Sequence, residues 1–176
     1  MTSIIFLDID GVLNDEGYII RCWNKHHTAM HMECAPFNPR SLQNLRKIYE
    51  SILDNNNSPL IVLSSTWRLG EIPKAIVNAR LAEYGMSVNE ITPYINSERG
   101  VEILDWLEKN NHLDSPFVIL DDDKFDIVCK QELVPHFVNT TYKRGLTGQK
   151  ANKAIKILNE EGGLNEIRNK LKSETC

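Results

Sequence analysis

Three separate apolar runs in this chain each break off into polar residues of a different kind. Ile4-Ile5-Phe6-Leu7 runs into Asp8-Ile9-Asp10-Gly11, Leu60-Ile61-Val62-Leu63 into Ser64-Ser65, and Phe117-Val118-Ile119-Leu120 into Asp121-Asp122-Asp123. Short continuous apolar runs of this length read as strands buried on both faces. Helical signals lie between them, and strands alternating with helices specify an α/β fold: a doubly wound, mostly parallel sheet covered on both sides. In such a sheet the carboxyl ends of the strands share one edge, and ligands bind there. The three polar clusters are therefore expected to meet.

The intervening segments carry ordinary start and stop signals. Asn38-Pro39 opens a helix, with Asn as N-cap and Pro in the first turn. Leu42, Leu45, Ile48, Tyr49 and Ile52 then share one face, and the run from Asn55 to Pro59 breaks the helix. A second helix is expected from Ile72 to Tyr84, closed by Gly85. A short third strand follows over Ser87–Ile91, then a helix capped by Ser97 and running through Asn110, and a last strand over His136–Val138. Two terminal helices carry Ala151, Ala154, Ile155 and Leu158, and then Leu164, Ile167 and Leu171. The 176 residues fit a single domain, 1–176. Residues 14–37 hang directly from the acidic pair and show little periodicity, so they read as a small lid insertion after the first strand.

The chemistry of the shared edge follows from the residue types. Asp8 and Asp10 lie two apart, so strand alternation directs both the same way, and Gly11 permits a sharp turn that leaves its amide near a ligand. Paired carboxylates repel unless a proton or a cation intervenes. With Asp121 and Asp122 they form an oxygen-rich set that suits Mg²⁺. Hydroxyls and amides suit a phosphate, and either Ser64 or Ser65 supplies the hydroxyl, depending on where the strand ends. Arg99 is the expected cation for phosphoryl oxygens, because the helix it opens runs down into the strand at Phe117 and so begins on the same edge. Arg68 leaves the second strand as a substrate contact, Trp67 beside it reads as packing, and Asp123 reads as a turn or cap residue. Lys143-Arg144 follows the last strand and belongs either to a solvated loop or against a substrate's backbone phosphates. His26, His27, His31 and Cys34 invite zinc, yet no clean four-ligand spacing closes the set; a lid contact or packing is the preferred reading.

A formal net charge of −4 with a pI near 5.7 rules out a global basic field for nucleic acid and leaves room for a local patch only. Cys22, Cys34, Cys129 and Cys176 show no CxxC spacing, so reduced thiols are expected. No secretory segment and no run of membrane-spanning length is read, which points to a cytoplasmic protein without a membrane partner. Oligomeric state leaves no legible trace.

Asp8-Ile9-Asp10-Gly11-Val12-Leu13 resembles the first motif, DxDGxL/V, of the haloacid-dehalogenase-like (HAD) phosphatase superfamily. The strand ending in Ser64 resembles its second motif, Arg99 its third and Asp121-Asp122 its fourth; the likeness spans roughly residues 4–147. More narrowly, Ser64-Ser65-Thr66-Trp67-Arg68, the helix start Arg99-Gly100 with Glu102-Ile103 and Trp106-Leu107, and Gly145-Leu146-Thr147 are similar to small HAD domains associated with bacterial RNA-repair proteins. The resemblance implies a Rossmann-like core and a Mg²⁺-dependent phosphomonoesterase. It implies that Asp8 attacks phosphorus to form an aspartyl-phosphate and that Asp10 acts as acid and then base. Ser64 and the Gly11 amide would hold the phosphoryl oxygens, with Ser65 in place of Ser64 if the strand ends one residue later, and Arg99 would stabilise the charge; Ser65 and Arg68 are read beside them as substrate contacts. Mg²⁺ would be held by Asp8, the backbone carbonyl of Asp10 and Asp121, with Asp122 as ligand or support. The expected substrates are phosphorylated nucleotides or RNA and DNA ends. Small phosphorylated metabolites, a non-catalytic phosphate-binding module and a phosphotransferase are the alternatives.

Overall fold

A computed structural model of the chain describes residues 1–26, 36–160 and 162–174. The first apolar run becomes β1 (Thr2–Leu7), and it occupies the centre of a five-stranded parallel sheet. On one side lies β2 (Ser58–Leu63), paired in the register Leu7 with Leu63, and beyond it the two-residue β3 (Glu90–Ile91). On the other side lie β4 (Phe117–Asp121), with Leu7 opposite Leu120, and β5 (Phe137–Asn139). The order β3-β2-β1-β4-β5 is that of a doubly wound sheet, as expected.

Alternation along β1 sorts its side chains onto two faces. Ile5 and Leu7, with Ile61, Leu63, Val118 and Leu120, face helices α2 (Pro39–Asp54), α3 (Glu71–Ala82) and α6 (Gly148–Glu160). Ile4 and Phe6, with Val62, Phe117 and Ile119, face α4 (Arg99–Lys109) and α7 (Leu164–Glu174). On that second face Phe6 meets both Trp106 and Phe117 edge-on, at 5.5 and 5.9 Å between ring centroids. Among the described residues the other α-helices are α1 (Glu16–His26) and the single turn α5 (Phe125–Val128).

Several local readings need correction. Residues 16–26 of the expected irregular lid form α1; its Ile20 and Trp23 are exposed and only Cys22 is buried among its apolar residues, so no core-facing stripe marks it. Residues 27–35 of that segment, and the zinc reading over the side chains of His26, His27, His31 and Cys34, lie outside the described residues. Ser97 does not cap α4, because its φ of +61° puts it in the left-handed region and Glu98 takes the N-cap position. Asn38 does cap α2, accepting from the Arg40 N–H at 2.9 Å. Cys22 is disulfide-bonded, against the expectation of reduced thiols, whereas Cys129 is free and exposed; sequence spacing does not report which sulfurs a fold brings within bonding distance. No described helix is long and apolar enough to cross a membrane.

His136, fully buried at the entrance to β5, gives the fold a pH dependence. Its ring stacks on Phe117 at 3.8 Å, its Nδ1 donates to the Phe117 carbonyl at 3.0 Å, and its Nε2 is buried with no partner. Burial lowers its pKa to about 4 despite that hydrogen bond. Between pH 6.5 and 4 the unfolded chain takes up a proton that the folded chain refuses. Stability should therefore fall as the pH is lowered through this window, by on the order of 3 kcal/mol in all. Urea unfolding of wild type and His136→Phe across the window checks this: the variant should lose that part of the pH dependence.

Candidate active site

The parallel ladder continues one residue past β1 and β2, and that extra residue begins the site. The Asp8 N–H donates to the Leu120 carbonyl at 3.0 Å, and the Ser64 N–H to the Leu7 carbonyl at 2.9 Å. Asp8 is thus fixed between the end of β2 and the end of β4. It is only 7% exposed, and Asp121, the last residue of β4, only 2%.

Carboxylate oxygens of Asp8, Asp121 and Asp122 lie within 4.8 Å of one another. Arg99, at the first position of α4, reaches both buried acids, with Nη1 at 3.3 Å from Asp8 Oδ1 and 2.5 Å from Asp121 Oδ2. A single guanidinium does not balance three carboxylates. Burial, and then the Asp8 charge, pushes Asp121 up to about 7, and the same two causes raise Asp122. Asp8 is also raised, by burial, in spite of Arg99 and hydrogen bonds from the Ser65 hydroxyl and the Ile9 N–H. Burial alone would lower Arg99, but Asp121, Asp8 and Glu102 together leave its pKa raised. Acids whose pKa values are raised by burial are a set whose charged form a cation would favour. The donors are all hard oxygens, which fits a divalent ion of the Mg²⁺ type.

Asp10 stands outside this trio and is exposed. Its Oδ1 accepts from Asn14 Nδ2 and its Oδ2 from Trp67 Nε1, each at 2.9 Å. Trp67 also packs edge-on against Phe37 at 5.4 Å, so the indole, read from sequence as packing, packs and aims the carboxylate as well. Nothing in the sequence singled out Asn14, although the spacing from Asp10 to Asn14 is that of a closed turn: the N–H groups of Val12, Leu13 and Asn14 all point at the Ile9 carbonyl.

Three expectations about substrate contacts change. The Gly11 amide is not open to a ligand, since it donates to the Asn14 carbonyl at 2.7 Å. The glycine is needed for another reason. At its φ of +75°, a Cβ would lie 2.1 Å from Asp122 Cγ, so only glycine lets Asp122 approach. Arg68 is 4% exposed, and all five of its N–H donors are spent. They go to the carbonyls of Ser64, Ser65, Thr92 and Pro93 and to Glu102 Oε2. It is a structural clamp that holds the end of β2 against α4. Ser64 Oγ is fully enclosed without a partner, whereas the Ser65 hydroxyl bonds to Asp8; of the two serines, Ser65 is the one that engages the acidic cluster. Asp123 accepts from the Phe125 N–H at 3.0 Å as a turn cap. Asn139 of β5, unnoticed in the sequence, bonds the Asp122 carbonyl at 2.9 Å and so holds the acidic turn.

A family model described as the HAD domain in Swiss Army Knife RNA repair proteins matches residues 4–151. The chain belongs to this family. The match runs from β1 into α6 and takes in Asp8, Asp10, Ser65, Arg99, Asp121 and Asp122. No curated protein and no solved structure matches the chain. Membership in the HAD family supports the general class expected from the sequence, a hydrolase of the phosphatase type.

Proposed function

We propose that the chain is a Mg²⁺-dependent phosphomonoesterase that works through an aspartyl-phosphate on the phosphorylated ends of nucleotides or nucleic acids. The observation that carries this reading is the meeting of Asp8, Asp121 and Asp122 at one point, with Arg99 bridging two of them. Repelling acids weaken a fold, and their use is to hold a cation beside an anion. Mg²⁺ would be held by Asp8, Asp121 and Asp122 with the backbone carbonyl of Asp10, and when bound it offsets the repulsion between a carboxylate and a phosphate. An oxygen of Asp8 forms a bond to phosphorus as the bond to the leaving alcohol breaks. Asp10, steered by Asn14 and Trp67, gives its proton to the leaving oxygen. It then takes a proton from the water that attacks phosphorus; phosphate departs and the Asp8 carboxylate is restored. The Ser65 hydroxyl and the Arg99 guanidinium engage the phosphoryl oxygens throughout. Nucleic-acid ends are favoured as substrates by the RNA-repair description of the family.

A panel of phosphate esters assayed with Mg²⁺ and with EDTA tests this reading. Phosphate release from 3′- or 5′-phosphorylated oligonucleotides, lost in EDTA and restored by Mg²⁺, is expected. Turnover that survives EDTA would overturn the mechanism, and hydrolysis of sugar phosphates alone would overturn the substrate. Proton and metal compete for Asp121, whose pKa without metal is about 7. The half-saturating Mg²⁺ concentration should therefore rise by up to about tenfold per pH unit below 7 and level off above it. Mg²⁺ activation curves at several pH values check this.

A further inference from the structure

A second cavity, of about 320 Å³, opens on the same edge of the sheet, apart from the carboxylates. Arg21, Arg40, Lys143 and Arg144 line it, together with Ser41 and Thr147. The acid in its wall, Asp15, is already engaged: Oδ1 accepts from the Tyr18 N–H at 2.9 Å and Oδ2 from Asn38 Nδ2 at 2.6 Å. None of the four cations makes an ion pair among the described residues. Four positive side chains thus gather on a chain whose formal net charge is −4. The first turns of α2 and α6 both open here, adding the positive ends of two helix dipoles. Ser41 supplies a separate, uncharged donor. It is 2% exposed and lines the cavity, and its hydroxyl has no hydrogen-bond partner among the described residues.

The cavity is joined to the catalytic edge by the chain itself. The loop that carries Asp10 continues to Asp15, so these two residues lie within about 18 Å of each other. The N–H groups of Asn38 and Leu146 bond to the carbonyls of Leu13 and Val12, both at 2.8 Å, tying two walls of the cavity to that loop. Guanidinium forks, a hydroxyl and helix amides together match the oxygens of a phosphate. A polynucleotide presents backbone phosphates a few residues from its end, within such a reach.

We propose that this pocket binds a backbone phosphate of the polynucleotide whose phosphorylated end occupies the Asp8 site; the inference rests on the nucleic-acid reading of that site. The test measures binding apart from catalysis, by fluorescence anisotropy of a single-stranded oligonucleotide with no terminal phosphate. Lys143→Ala/Arg144→Ala should weaken its binding by roughly tenfold and reduce the slope of log K against log salt by about one. Ser41→Ala should weaken it severalfold without changing that slope. The double variant should also raise KM for a phosphorylated oligonucleotide while leaving kcat for p-nitrophenyl phosphate as in wild type. Equal affinity of wild type and double variant, or no binding by wild type, would overturn the pocket. An acidic peptide that binds as tightly and loses affinity equally would overturn its assignment to nucleic acid. Oligonucleotide binding that depends on the pocket, with no hydrolysis of any phosphorylated end, would instead overturn the substrate reading alone.

Discussion

Asp8→Asn is expected to lower phosphate release by at least about 10⁴-fold, because in the proposed mechanism it removes the attacking oxygen and leaves nearly everything else in place. The side chain keeps its shape, and the Asp8 backbone bond to Leu120 is untouched. Folding should not suffer. Asp8 is the second-largest cause of the raised pKa of Asp121, so removing its charge relieves repulsion in the trio. The variant should therefore unfold at an equal or higher urea concentration than wild type, and Asp121 should titrate below about 7. Phosphate release at saturating Mg²⁺, read beside urea unfolding, separates lost chemistry from lost structure. Turnover within tenfold of wild type would remove Asp8 from the role of nucleophile.

The largest effect on stability is expected at the buried pair Arg68–Glu102. The two side chains are 2% and 1% exposed and meet at 2.6 Å. Glu102 also accepts from the Ile95 N–H at 2.9 Å and lies 3.9 Å from Arg99 Nε. Removing one partner of such a pair leaves an uncompensated charge in the interior. Glu102→Gln should therefore cost roughly 3–5 kcal/mol, a large share of the stability of an ordinary domain. Arg68→Met should cost more, since it also strips the side-chain donors from the buried carbonyls of Ser64 and Thr92, while the Ser65 carbonyl keeps its bond from the backbone N–H of residue 68. Urea denaturation provides the measurement, and a loss below about 1 kcal/mol for Glu102→Gln would show that the pair is dispensable. Some activity should be lost as well, because Glu102 is among the charges that hold Arg99.

The parts of the site that lie along strands were legible in the sequence, and the parts built by turns were not. Continuous apolar runs mark the buried strands β1, β2 and β4, and the acids that end β1 and β4 and the serines that end β2 are conspicuous there because they interrupt those runs. Parallel pairing then brings Asp8 and Asp121 together, and chain direction alone puts Arg99 on the same edge. Arg68 misled because a cation just past a site strand looks free, while its partners at residues 92, 93 and 102 are remote in sequence. The choice between Ser64 and Ser65 turns on a single residue of register, which an apolar run does not define. Helix α1 was hidden because its large apolar residues Ile20 and Trp23 face outward.

The outermost strands are very short, with two residues in β3 and three in β5. An unpaired strand flank is a template on which another chain can add itself, and the hazard grows with its length. Here the offered ladder ends almost as soon as it begins, so edge-to-edge growth into fibrils finds little foothold on this molecule.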